Sequence, residues 1–267
     1  IQSNAIGRIS DVHVWTDRPV GFWTQNKERG ATMEVPASLH WDNWIGVAPE
    51  RPYAHGYHPF DWRAFWDFGT GALGDMGCHG MDPVVTALEL GPPNVIKPEG
   101  PLPNRETGPE WSILRYTFPG TKWTTDSLPM TWYDGAKLPP RDLFELDADE
   151  PLLKNGILFV GDKGQLLVDY FNPPSLLPRG NFANTKIELM PKDNHYQQWT
   201  EAIKGNGKTS CPFSYSGPLT ETVLLGNVAV RTGKPIRWDS ELMQCDFDEA
   251  NQLMRRQYRR GWEVAGL

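Results

Sequence analysis

The pattern of hydrophobic and polar positions changes twice along the chain. A helix is predicted from about Leu73 to Leu90, because Gly91-Pro-Pro93 is a strong stop signal. Beyond it, short apolar segments are separated by Gly, Pro and Asp turns, which is typical of strands. The predicted strands are Trp111–Phe118, Thr121–Thr125, Met130–Tyr133, Gly156–Gly161 and Gly164–Asp169. Their close spacing indicates an antiparallel meander.

The spacing of apolar residues is again typical of helices after about Asp193. Helices are predicted at His195–Lys204, Leu219–Arg231 and Phe247–Tyr258, with a short one at 41–46. Residues 1–7 have the pattern of a helix end capped by Gly7, followed by a strand over 8–15. A chain that opens inside a helix and without Met is expected to have been cut from a longer one. The stretch from there to about Pro59 is predicted to be a long ordered loop region.

Runs of helix and runs of strand do not alternate, so the predicted fold class is α+β. We expect an open, mainly antiparallel β-sheet with helices covering one face. An open sheet with an apolar outer face usually needs a partner. A homo-oligomer formed through the sheet face is therefore predicted.

Composition narrows the classes of protein. The 267 residues are 39% hydrophobic and 22% charged, as in ordinary soluble globular proteins, and the net charge is −7. This charge argues against a nucleic acid or an anionic membrane as partner, and the basic run around Arg255-Arg256 and Arg259-Arg260 is short. Neither a membrane-spanning stretch nor a signal peptide is visible, which leaves a cytoplasmic or periplasmic location open. Three cysteines without C-x-x-C spacing indicate free thiols.

Gly69, Gly71 and Gly74 match the G-x-G-x-x-G pattern of a dinucleotide-binding turn. Such a turn follows a buried parallel strand, normally a continuous Val/Ile/Leu run. The preceding segment, Pro59–Phe68, is instead aromatic and punctuated by charge. We therefore predict no cofactor-binding residues at this turn.

Asp75 and His79 lie within the same stretch and are four residues apart. On a helix this spacing places both side chains on one face. An imidazole can take and return a proton near neutral pH, so His79 is predicted as the acid/base and Asp75 as its orienting or substrate-holding partner. The alternative is that Asp75 caps the helix and His79 is a core residue. Asp82 falls near the same face, although Pro83 can kink the helix.

The chain contains twelve Trp and eight Tyr residues, whose flat faces suit sugar rings. Most of these rings are expected to pack in the core or at an interface. The substrate-binding candidates are the residues that approach the acid/base pair in sequence, together with one histidine at a predicted helix start: His58, Trp62, Arg63, Trp66 and His195. The alternatives are that Arg63 pairs with Asp61 or Asp67 and that His195 forms a polar helix start.

Three segments, 62–79, 199–205 and 217–238, resemble the C-terminal domain of Gfo/Idh/MocA-type oxidoreductases. They occur in the same order as in that family and span nearly the whole chain. The resemblance implies that residues 1–267 are a substrate-binding and dimerisation domain, without the N-terminal dinucleotide-binding domain. It also carries Asp75 and His79 over as the catalytic pair.

The family resemblance implies an NAD- or NADP-dependent oxidation of a sugar, glycoside or polyol hydroxyl. Family members also use the lysine of an E-K-P motif. Here the Lys-Pro pairs, Lys97-Pro98 and Lys234-Pro235, are not preceded by Glu. This chain alone is therefore not expected to be active as a dehydrogenase. The sequence identifies neither the sugar nor the choice between NAD and NADP.

Two other classes of function remain open. A redox-silent carbohydrate-binding or structural module would keep the aromatic cleft without the cofactor. A metal-dependent lyase or isomerase would use Asp75, His79 and His195 as ligands, with no metal site otherwise predicted.

Overall fold

The computed structural model describes residues 1–189 and 193–266. Nine described strands form one open sheet in the order β7-β6-β5-β1-β4-β3-β2-β8-β9. The strands are β1 Ile9–Trp15, β2 Val95–Glu99, β3 Ile113–Pro119, β4 Ser127–Tyr133, β5 Gly156–Gly161, β6 Gly164–Val168, β7 Ser175–Leu177, β8 Ile236–Asp239 and β9 Gln244–Cys245. The α-helices are α1 Trp41–Ile45, α2 Gly71–Gly80, α3 Asp82–Leu88, α4 His195–Ile203, α5 Phe213–Thr232 and α6 Asp248–Gln252. Short 3-10 helices lie at Asp61–Ala64, Arg141–Leu143 and Arg179–Phe182.

Strand β1 joins two antiparallel ladders into one sheet. It pairs in parallel with β4, where Val12 lies opposite Met130, and antiparallel with β5. Strands β2, β3 and β4 form one ladder, and β5, β6 and β7 form the other. The prediction of an α+β fold with an open, mainly antiparallel sheet is confirmed.

The main core lies between the sheet and helices α2, α3 and α5. Alternate strand residues such as Val14, Tyr116 and Trp132 point into it, and α5 buries residues such as Ala229 against them. This alternation is the period of a strand with one face against helices.

Helix α2 packs closely against the sheet through Gly80 and against α5 through Gly77. A Cβ on Gly80 would lie 2.6 Å from Val14 Cγ1, and one on Gly77 would lie 3.0 Å from Val223 Cγ1. With Gly77 and Gly80 buried, Asp75 is half-buried and His79 exposed. The glycine spacing thus fixes which side of α2 carries the acid/base candidates.

The opposite face of the sheet differs from the expected apolar surface. One end is covered by a small core that contains Trp15, Phe144 and Leu158. Beside it the face is polar: His13 Nδ1 lies 3.1 Å from the Tyr133 hydroxyl, and His13 Nε2 lies 3.3 Å from Asp11 Oδ2. The premise of an apolar outer face is therefore wrong here, and the homo-oligomer stays a prediction.

Residues 16–70 fold around a third, aromatic core. Trp23, Tyr57 and Phe65 are buried in it, and Trp41 packs parallel to Tyr57 with ring centroids 5.9 Å apart. Arg51 anchors the region: its Nη1 donates to Glu106 Oε2 at 2.8 Å, and its guanidinium also pairs with Asp67. The predicted loop region thereby holds Pro59–Phe68 against the start of α2.

Several predicted element bounds are wrong. Residues 1–7 form turns rather than a helix end, with Gly7 at φ 77°. The helix predicted from Leu73 to Leu90 is two helices broken at Met81, because Pro83 has no N–H to donate to the carbonyl of His79. Thr121–Thr125 is a turn joined to β1 by an isolated bridge between Thr124 and Ile9. The last helix is shorter than predicted and covers Asp248–Gln252.

Candidate functional site

A cavity of about 460 Å³ opens where Pro59–Phe68 meets the start of α2. We call it the turn cavity. Its walls are Trp62, Arg63, Trp66, Asp67, Phe68, Gly69, Thr70, Gly71, Gly74, Asp75 and Arg256. The structure therefore brings together four of the predicted site residues, Trp62, Arg63, Trp66 and Asp75.

Arg63 and Asp75 form an ion pair on the wall of the turn cavity. Arg63 Nε donates to Asp75 Oδ1 at 3.3 Å, and both side chains are less than one-third exposed. The guanidinium also lies over the rings of Phe60 and Trp62, at 4.3 and 4.6 Å from their centroids. These contacts hold Arg63 in one orientation towards the cavity.

The carboxylates predicted as alternative partners of Arg63 are engaged elsewhere. Asp61 accepts from Lys27 Nζ at 2.7 Å, and Asp67 pairs with Arg51. Arg63 therefore belongs to the Asp75 side of the cavity, which corrects the alternative pairing.

His79 lies one turn after Asp75 on α2 and is exposed. Within residues 1–189 and 193–266 its imidazole makes no hydrogen bond or ion pair, and it is not part of the wall of the turn cavity. Asp75 lies in the second turn of α2, which begins at Gly71, so it does not cap the helix. Both parts of the structural alternative, a capping Asp75 and a core His79, are wrong.

The side chain of Asp82 contacts α5. The Tyr215 hydroxyl donates to its carboxylate and lies 2.6 Å from the Thr86 hydroxyl. Burial, followed by the Asp82 contact, raises the pKa of Tyr215 to about 12. This network joins α3 to α5.

The glycine turn does not have the geometry of a pyrophosphate cradle. The segment before it contains a 3-10 helix and not a strand. The N–H of Ala72, in the first turn of α2, donates to the buried Gln25 Oε1 at 2.8 Å. A Cβ on Gly69 would lie 2.5 Å from the Arg63 carbonyl oxygen, and Gly71 has φ 66°. Contacts within the chain account for both glycines, so these residues do not fit a dinucleotide.

A second cavity, of about 940 Å³, lies beside the turn cavity and along α5. We call it the α5 cavity. Trp66, Asp67, Thr70 and Arg256 line both cavities. The two spaces therefore adjoin at the segment that leads into α2.

Two predicted substrate-binding residues, His58 and His195, lie outside both cavities. His58 is exposed, with its ring 6.4 Å from that of Trp44. His195 is exposed in the first turn of α4, with its ring 4.0 Å from that of Tyr196. Asn194 caps this helix by accepting from the N–H groups of Tyr196 and Gln197. His195 therefore lies at a polar helix start, as the alternative to a substrate-binding role predicted.

No three His, Cys, Asp or Glu side chains come together as a metal-ligand group in the described part of the chain. The ligand set of Asp75, His79 and His195 required by the metal-dependent alternative is therefore not formed there. None of the described helices is long and apolar enough to cross a membrane.

Residues 10–119 match the Gfo/Idh/MocA family model described as the oxidoreductase family, C-terminal alpha/beta domain. Over this range the match confirms the resemblance seen in the sequence. A comparison with curated proteins gave no match.

Several solved structures match this chain at low sequence identity. An NAD-binding protein from Listeria innocua is 10% identical, with 88% of this chain and 57% of that chain covered and a TM-score of 0.51. The WlbA dehydrogenase from Bordetella pertussis, solved with NADH and UDP-GlcNAcA, is 14% identical, with 89% and 57% covered and a TM-score of 0.47. An oxidoreductase from Agrobacterium radiobacter, solved with NAD⁺, L-tartaric acid and magnesium, is 12% identical, with 88% and 58% covered and a TM-score of 0.40. The chain thus spans less than two thirds of the length of these structures.

Sequence reasoning missed several residues that line the cavities. Thr70 and Asp67 lie in segment 62–79, where the glycine pattern and the spacing of Asp75 and His79 are the stronger signals. Arg256 belongs to the short basic run, whose only signal in the sequence is its charge. Arg231 and Asn227 lie on α5, and no local pattern marks them as cavity residues.

Proposed function

We propose that this chain is the substrate domain of an NAD(P)-dependent oxidoreductase that acts on a hydroxyl of a sugar, glycoside or polyol. The observation that carries the proposal is the placement of Asp75 and His79 one helical turn apart on α2, with Asp75 in the wall of an aromatic and arginine-lined cavity. The family match over residues 10–119 supports the reaction class.

The residues of this chain would handle the substrate and its proton. His79 would accept the hydroxyl proton, since its imidazole is exposed and carries no other partner among the described residues. The Asp75 and Arg63 pair would bind neighbouring hydroxyls, because it offers acceptor and donor atoms side by side. The rings of Trp62 and Trp66 would pack against the apolar faces of the sugar.

A nicotinamide held by a separate dinucleotide-binding domain would provide the hydride acceptor. The glycine turn of this chain does not fit that role, as its Ala72 N–H is already bonded to Gln25. Residues 1–267 would together form the substrate-binding and dimerisation domain that the family resemblance implies.

A redox-silent carbohydrate-binding module is the second candidate. It is favoured by the same aromatic cavity together with the lack of a nucleotide cradle at the glycine turn. In that case sugar binding would persist without any oxidation of the bound sugar.

Replacement of His79 by Ala tests the proposal in a protein that carries its dinucleotide-binding domain. Removal of the base should lower kcat by about 10²–10⁴-fold with a panel of sugars and polyols as substrates. His40→Ala is the matched control, since His40 is also exposed but lies at the start of α1, outside both cavities. Unchanged turnover in His79→Ala would remove His79 from catalysis, and sugar binding without turnover in the parent protein would favour the binding module.

A further inference from the structure

Two arginines from distant parts of the chain meet on the α5 cavity. Arg231 lies in the last turn of α5, and its guanidinium carbon is 5.3 Å from the Trp66 ring centroid. Arg256 follows α6 and donates to the carbonyl oxygens of Trp66 and Asp67 at 2.8 and 2.9 Å. Both positive charges therefore converge on Trp66, where the α5 cavity adjoins the turn cavity.

Neither arginine forms an ion pair with a carboxylate in the described part of the chain, and Arg231 also lacks a hydrogen bond there. Burial, followed by repulsion from Arg256, lowers the pKa of Arg231. Both residues are exposed on the wall of the α5 cavity, and an anion between two like charges relieves their repulsion. The arrangement therefore has the electrostatics of an anion-binding site.

The carboxylates on the same walls have partners of their own. Glu221 Oε1 accepts the indole N–H of Trp238 at 2.6 Å. Asp67 pairs with Arg51. Neither carboxylate forms an ion pair with Arg231 in the described residues, and the charge of Asp67 only partly offsets the lowering of the Arg231 pKa.

Asn227 gives an independent sign of a ligand. It lines the α5 cavity with 7% of its surface exposed, yet its Nδ2 is buried without a hydrogen-bond partner in the described residues. A buried amide without a partner costs about 1–3 kcal/mol, so natural proteins rarely keep one without a use. A small rotation of the side chain towards the cavity would let this amide donate to a bound acceptor group.

We propose that the α5 cavity binds the acidic group, a carboxylate or a phosphate, of an acidic sugar whose ring lies in the adjoining turn cavity. Arg231 and Arg256 would bind the anion and Asn227 would donate to it, because guanidinium and amide N–H groups are the donors suited to such oxygens. This inference names the substrate class of the proposed function and rests on it. It would make the oxidoreductase specific for uronates or sugar phosphates over neutral sugars.

Calorimetric titration of this chain tests the inference directly. The probes are glucuronate, glucose 6-phosphate and neutral glucose, with the first two distinguishing the carboxylate from the phosphate. We expect one of the two acidic sugars to bind at least tenfold more tightly than glucose, and Arg231→Gln and Arg256→Gln each to weaken it by about tenfold or more. Arg260→Gln is the matched control, since Arg260 is exposed in the same segment and lines neither cavity.

Asn227→Leu separates binding from folding. Removal of a buried amide without a partner should leave the melting temperature unchanged or raise it, while the affinity for the acidic sugar falls. A purely structural Asn227 would lower the melting temperature and leave the affinity unchanged.

Equal binding of acidic and neutral sugars, absence of binding by both acids, or full affinity in Arg231→Gln would overturn the inference. These results leave the His79→Ala turnover experiment untouched. Conversely, selective binding of an acidic sugar with unchanged turnover in His79→Ala would retain the anion site and remove the proposed catalytic role. The two proposals therefore fail separately.

Discussion

At the scale of single residues, Asp134 shows how burial turns an ionisable group into a pH-dependent part of the core. It is 3% exposed and accepts from the Ser112 hydroxyl at 2.7 Å and from the Trp132 indole at 2.9 Å. Burial raises its pKa from 3.8 to about 6, in spite of these hydrogen bonds. Between these two values the folded state binds the proton more tightly than the unfolded state does.

This difference predicts the sign of a pH dependence. The contribution of Asp134 to the free energy of unfolding is complete below pH 3.8 and is lost as the pH rises through about 6. The stability of the parent protein relative to Asp134→Asn should therefore fall by about 3 kcal/mol between pH 3.5 and pH 7.5. Urea unfolding of both proteins at a series of pH values measures it, and a constant difference across that range would contradict it.

The residues of the site were predictable from sequence where neighbours in the chain are neighbours in space. Trp62, Arg63 and Trp66 reach the same cavity as Asp75 because a short 3-10 helix and a turn join them to α2. The partner of Arg63 was not predictable, since Asp61 and Asp67 are closer in sequence than Asp75. Long-range contacts with Lys27 and Arg51 occupy those two carboxylates.

At the scale of elements, helix α2 depends on glycine to reach the sheet. Gly80→Ala would place a Cβ 2.6 Å from Val14 Cγ1 and 2.7 Å from the Tyr170 hydroxyl. The resulting displacement of α2 should lower the free energy of unfolding by about 1–3 kcal/mol, measured by chemical denaturation.

Gly180→Ala is the control for this prediction. Gly180 is exposed in the 3-10 helix Arg179–Phe182, and nothing is within 4 Å of its added Cβ, so the substitution should leave the free energy of unfolding unchanged or raise it by up to about 1 kcal/mol. Equal stability changes in Gly80→Ala and Gly180→Ala would show that close packing of α2 is not the cause.

Elements with a strong local pattern were predicted well. Strands β3 and β5 match their predicted positions, since their apolar spacing and turn signals agree with the tertiary structure. Helix α5 is predicted at Leu219–Arg231 but begins at Phe213, with Pro218 inside it. Strand β2 was missed because Lys97 and Pro98 interrupt its apolar pattern. Pairing with β3 and β8 compensates for the weak local preference.

At the scale of the whole molecule, the two faces of the sheet have different surroundings. One face packs against α2, α3 and α5 and so positions both cavities. The other face carries a small core at one end and the polar group of Asp11, His13 and Tyr133 beside it. A partner chain on this face would meet polar groups, which is compatible with the homo-oligomer that the sequence predicts but does not require it.

The central claim is that these residues bind the substrate and leave the nucleotide to another domain. Its most direct measurement is a calorimetric titration of this 267-residue chain with NADH and NADPH. We predict no saturable binding of either, because the glycine turn has no free cradle for a pyrophosphate. Saturable binding with micromolar affinity, lost on substitution at the turn, would contradict this assignment and identify the turn as a cofactor site.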